Sequence, residues 1–116
     1  MQATVQLTKS MIREAAHQAA DDFFKVHMGS QDRGACGFAW VNVIPEHRGN
    51  TKLGKAERQM LSELGFSKDW TGNEYQMWNP SGYPVQNIDT LEAGASAAAA
   101  VLKAAGFRAY AGSRLD

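Results

Sequence analysis

Apolar residues recur at helical spacing from Met11 through Ala15, Ala16, Ala19 and Phe23 to Val26, while Arg13, Glu14, Asp21 and Lys25 fall off that stripe. With Thr8 as N-cap, the pattern predicts an N-terminal helix over 8–27. MGSQDRGACG is a loop, and CGFAWVNVI then switches to a two-residue period. Phe38, Trp40 and Asn42 share one face and Ala39, Val41 and Val43 the other, which suits a central strand ended by Pro45. Leu53, Ala56, Met60, Leu61 and Leu64 restore the helical period, closed by Gly65. SKDWTGNE is a turn, YQMWN a second strand and PSGYPVQN a loop. Asp89 is placed to cap an alanine-rich third helix from Thr90 to Ala105, and FRAYAG alternates as a last strand before the tail SRLD.

The order helix, strand, helix, strand, helix, strand predicts an α+β (or small α/β) domain, about three strands packed with three helices. Helices between strands suggest crossovers, hence an at least partly parallel sheet. One domain is expected over 1–116, with the sheet-forming core at 36–111 and a C-terminal tail at 112–116. Loops able to host a site lie at 28–36, 45–52 and 79–88.

Composition narrows the function classes. Twelve basic and twelve acidic side chains balance to zero formal charge, so any electrostatic recognition is local. One cysteine excludes an internal disulfide and a cysteine zinc cluster, and suits a reducing cytoplasm. Charges interrupt the first eighteen residues where a signal peptide needs its apolar region, and the alanine run at 93–105 is too short and too weakly apolar for a membrane span.

PEHRGNTKLGKA, between the first strand and the second helix, raises the question of a phosphate loop. Gly49, Gly54 and Lys55 fit the spacing of a P-loop, but Ala56 replaces the hydroxyl that binds magnesium. VNVIPEHRGNTKLGKAERQMLSELGF also resembles the cofactor-binding strand, loop and helix of amine acetyltransferases. Counted from Arg48, however, that motif's glycines fall on Thr51 and Leu53. What survives is a basic helix start, with Arg48, Lys52, Lys55 and Arg58, which is either an anion site or a solvated face offset by Glu57 and Glu63.

Elsewhere, His17 and Asp21 are four apart on a helix without a third metal ligand, and a surface pair is the plainer reading. Cys36 has no adjacent base and is expected to be a small buried residue. Trp70 to Tyr83 interleaves aromatics with Asn73, Gln76, Asn79 and Ser81, followed by Gln86 and Asn87: either a stacking site for a base or a polar loop pinned on a core. Trp78 belongs to that set. Arg108 opens the last strand, and Arg114 follows it, either in a frayed tail or held at the sheet's end.

CGFAWV at 36–41, QN-x-D at 86–89, EAGA-x-A at 92–97 and the closing SRLD together resemble a group of small tailed-bacteriophage and prophage proteins of uncharacterised role. The resemblance carries Trp40, Gln86, Asp89, Ser113, Arg114 and Asp116, and implies a phage accessory protein in the host cytoplasm. It brings no activity and no cofactor. The expected function is therefore binding of an anionic, nucleotide-like ligand or of a host or phage macromolecule, with a homo-oligomer as one possible assembly. The residues expected to bind are Arg48, Lys52, Lys55, Trp78, Asn79, Gln86, Asn87, Asp89, Arg108, Ser113, Arg114 and Asp116. The alternatives are a reduced acetyltransferase using the 45–56 loop for acetyl-coenzyme A, and a nucleic-acid-binding protein.

Overall fold

The structure, a computed structural model, describes residues 6–116; the start of the stretch weighed against a signal peptide lies outside the described residues. Helix α1 spans Lys9–His27, and the Thr8 hydroxyl accepts the amide of Met11. Strand β1 is Gly37–Ile44, helix α2 Lys52–Glu63, β2 Ser67–Lys68, β3 Tyr75–Trp78, helix α3 Ile88–Ala104 and β4 Arg108–Leu115.

The α+β class is as expected; the sheet is not. It has four strands in the order β2-β3-β1-β4, and every neighbouring pair is antiparallel. The α2 crossover does return the chain parallel to β1, since β1 and β2 both oppose β3, but the β2–β3 hairpin folds β3 back between them. The succession β1-α2-β2-β3-α3-β4 is thus a split βαβ arrangement, preceded by α1. Sequence pattern missed β2 because its two residues are both exposed and carry no apolar alternation.

One face of the sheet holds the core. Val41, Val43, Tyr75, Met77 and Ala109 point to the helices and meet Ile12 and Ala16 of α1, Leu61 of α2, and Ala98, Ala99 and Leu102 of α3. Burying aliphatic side chains such as Ile12, Leu61 and Leu102 contributes about 1.5–3 kcal/mol each. The alanines of α3 leave room for α1 to approach closely, so a helix of modest hydrophobicity is buried along one side.

Two ends differ from expectation. α3 starts at Ile88, and Asn87, not Asp89, is its cap: the Asn87 carboxamide oxygen accepts the Thr90 amide and hydroxyl at 2.8 and 2.9 Å. The segment expected as a tail, 112–116, continues β4 to Leu115, and the Asp116 amide still bonds the Cys36 carbonyl at 3.1 Å. Pairing with β1 along its whole length holds it in the sheet.

Candidate functional site

All three helices contribute to the core on one side, and none of the described residues covers the other side of the sheet as a further layer. Register places Phe38, Trp40 and Asn42 of β1 on that face, beside Gln76 and Trp78 of β3 and Arg108, Tyr110, Gly112 and Arg114 of β4. Strand alternation makes this unavoidable: once Ala39, Val41 and Val43 are buried, their neighbours must face out. Phe38, Trp78 and Tyr110 are 38%, 48% and 41% exposed, a large aromatic area for a chain of this size to leave in water.

The rings form a connected platform. Trp78 lies 4.9 Å from Trp40, and 5.9 Å from Phe38 in an edge-on arrangement. The Arg114 guanidinium sits over the Phe38 ring at 5.5 Å, a cation–π contact. Trp40 lies across β4 because position 112 is glycine; a β-carbon there would collide with the indole. Among the described residues neither Arg108 nor Arg114 has a carboxylate partner, so both charges are available on this face.

A polar knot borders the platform. The Asn42 amide group donates to Glu74 at 2.8 Å and to the Tyr110 hydroxyl at 3.1 Å, and Tyr110 in turn donates to Glu74. The bond to Glu74, then burial, pushes the Tyr110 phenol above its usual range. Asn42 is buried, and its side-chain carboxamide oxygen is a buried acceptor without a hydrogen-bond partner among the described residues.

Where β3 leaves the sheet, a hollow of about 200 Å³ opens at the sheet's end, lined by Phe38 and Trp78 of the open face, by Ala39, Val85 and Leu91 of the helix side, and by Asn79 and Gln86. Of the twelve residues expected to bind, Trp78, Asn79 and Gln86 meet here, with Arg114 adjoining through Phe38 and Arg108 on the same sheet face. The others lie elsewhere. Asn87 is buried, its carboxamide spent on the α3 cap and on the Arg33 carbonyl. Asp89 is exposed in the first turn of α3. Ser113 points to the helix side and bonds Glu92, while Asp116 ends the β1–β4 ladder.

Arg48, Lys52 and Lys55 are exposed at the start of α2, but that loop binds itself. Glu57 accepts the amides of Glu46 and His47 at 2.7 and 3.0 Å, Arg58 donates to the carbonyls of His47 and Gly54, and Thr51 takes the Gly54 amide. Gly54 is glycine because the Arg48 carbonyl packs where a β-carbon would be. A cleft of about 450 Å³ beside this loop is lined by Ile44, Leu53, Met60 and Phe107, with Glu46, Glu57, His47 and Arg108 also in its lining, so acidic and basic groups meet there.

The remaining candidates resolve simply. His17 Nδ1 lies 3.1 Å from the Ser81 carbonyl, and Asp21 takes the Tyr83 hydroxyl at 2.6 Å and Lys25 at 2.9 Å. No metal-ligand cluster occurs among the described residues. Cys36, expected to be buried, is exposed at the start of β1, with its sulfur 3.5 Å from the Gln86 carboxamide oxygen. Trp70 is 93% exposed on the β2–β3 loop, which Asp69 braces by accepting from Thr71, Gly72 and Glu74. Phe38, Trp40 and Tyr110 were absent from the expected set, although the alternation of β1 already put the first two on one face.

No helix among the described residues is long and apolar enough to cross a membrane. Comparison of the chain with protein-family models, with curated proteins and with solved structures finds no match.

Proposed function

We propose that this protein acts by binding single-stranded nucleic acid on the uncovered face of its sheet, without chemistry on the strand. The observation that carries this reading is the aromatic platform of Phe38, Trp40 and Trp78 on the two central strands, flanked by the unpaired Arg108 and Arg114. Exposed rings on a four-stranded antiparallel sheet are how one large class of RNA-binding modules stacks successive bases. Arginines beside such rings meet the phosphates and add cation–π contact. The argument rests on this chemistry, since a fold alone does not carry function.

The size of the hollow favours a strand over an enclosed small molecule. At about 200 Å³ it falls below the roughly 300–1,000 Å³ of pockets that engulf a drug-sized ligand. A base can instead lie against Phe38 and Trp78, with the Asn79 and Gln86 carboxamides at its edge. The 45–56 loop supports no competing cofactor site, because the amides of Glu46, His47 and Gly54 already have partners. The bacteriophage resemblance supports a setting in an infected bacterial cell, where the protein serves as an accessory factor.

Titration of tryptophan emission with single strands, duplexes and mononucleotides tests the proposal. Single strands quench the emission, duplexes and mononucleotides do so far more weakly, and log affinity falls with log salt at a slope near −1.4, about −0.7 for each of two phosphate contacts. Phe38→Ala and Trp78→Ala each weaken binding by about 1–3 kcal/mol. Unchanged emission with single strands up to about 1 mM nucleotide, above the usual range of non-specific binding, sinks the reading.

A further inference from the structure

We infer that the outer edge of β4 is a self-complementary interface through which two copies of this chain join into one continuous eight-stranded sheet. β4 is an edge strand of eight residues, long for an unprotected edge. Its hydrogen-bonding parity follows from the ladder: the Asp116 amide bonds Cys36, so Arg108, Tyr110, Gly112, Arg114 and Asp116 direct their backbone groups to β1. The amides and carbonyls of Ala109, Ala111, Ser113 and Leu115 therefore point outward. None of them is engaged by another backbone or side chain among the described residues.

Those outward groups permit only some antiparallel self-pairings, and side-chain chemistry selects one. With Gly112 opposite Gly112 on a two-fold axis, Ala109 bonds Leu115 and Ala111 bonds Ser113 of the second copy, and all the free groups are used. On the open face this register sets Arg108 opposite Asp116 and Tyr110 opposite Arg114, an ion pair and a cation–π pair, each made twice by symmetry. Centring on Ala111 would oppose Arg108 with Arg114, two like charges. Centring on Ser113 would move Tyr110 opposite Asp116 and leave Arg108 without a partner.

The absence of a side chain at the axis matters as well. Trp40 lies over Gly112 in each copy, so the two indoles flank the axis and the two aromatic platforms line up across one sheet. Self-pairing is read out without any ligand; because it engages Arg108 and Arg114, which also flank the platform, strand binding and pairing draw on the same two charges.

Sedimentation velocity over a concentration series tests the inference. The wild-type chain is expected to sediment as a dimer at high concentration. Ala111→Pro removes an outward amide without touching the β1 ladder and is expected to give a folded monomer, with circular dichroism confirming the fold. Should that variant unfold, charge exchange decides. Arg108→Asp and Asp116→Arg singly weaken the dimer by about tenfold, and the double exchange restores it. A wild-type chain that stays monomeric at about 1 mM, weaker than any specific interface, overturns the inference. So does a folded Ala111→Pro variant that still dimerises, or a double exchange that restores nothing.

Discussion

At the residue scale, Asn87 and Asp89 show how near a sequence reading can come and still misplace a role. Both precede or open α3 and both residue types cap helices, yet only Asn87 has the extended backbone of a cap and a side chain aimed at Thr90. Asn87→Ala therefore costs about 1–3 kcal/mol in urea unfolding, since it removes the cap and leaves the buried Thr90 hydroxyl without its partner. Asp89→Ala, at an exposed position, changes stability by about 0.5 kcal/mol or less. Ionisation gives a second prediction. The Tyr83 hydroxyl, and then Lys25, hold the Asp21 carboxyl below its usual range; the Thr71 hydroxyl does the same for Asp69. A depressed carboxyl contributes stability that is present above its unfolded value, near 3.8, and lost as pH falls through the folded one. Bonds to Glu74 and Asp21 raise Tyr110 and Tyr83, so their contribution is present below about pH 10 and lost as pH rises through the raised values. Thermal melts across pH are expected to show both limbs. Asp21→Asn flattens the acid limb, and in Glu74→Gln the Tyr110 ionisation, followed by tyrosinate absorbance, moves back toward the ordinary range.

At the scale of elements, legibility followed burial. α1, β1 and α3 were readable because each commits a periodic apolar face to the core. β2 and the final residues of β4 were not, because their place comes from backbone pairing, which is indifferent to side-chain pattern. α2 stands between these cases: its period is clear, yet only Gly54 and Leu61 within it are buried, against eight residues of α3. Its ends are held by the Thr51 cap and the Glu57 and Arg58 bonds to the preceding loop, all near the surface. α2 is accordingly expected to open more readily than α3. In native-state hydrogen exchange its amides lose protection first, while those of α3 and β1 persist to the global unfolding limit. Equal protection in α2 and α3 would contradict this account.

For the whole molecule, the class was within reach of the sequence and the direction of pairing was not. Helices between strands do signal crossovers, but whether a crossover brings its strands side by side depends on what folds between them, and here a hairpin whose first strand is two residues long does so. The same geometry decided the site. Individual residues such as Trp78, Gln86 and Arg114 could be singled out, but their grouping with Phe38, Trp40 and Tyr110 depended on a cross-strand register that no single segment encodes. One exposed residue beside that grouping has a practical side. Cys36 is the only thiol in the chain, it is accessible, and its neighbour Gln86 forms a wall of the hollow under Phe38 and Trp78. The unaltered protein thus carries a single native attachment point for a thiol-reactive dye, within a few side chains of the place where an arriving ligand would change the dye's surroundings.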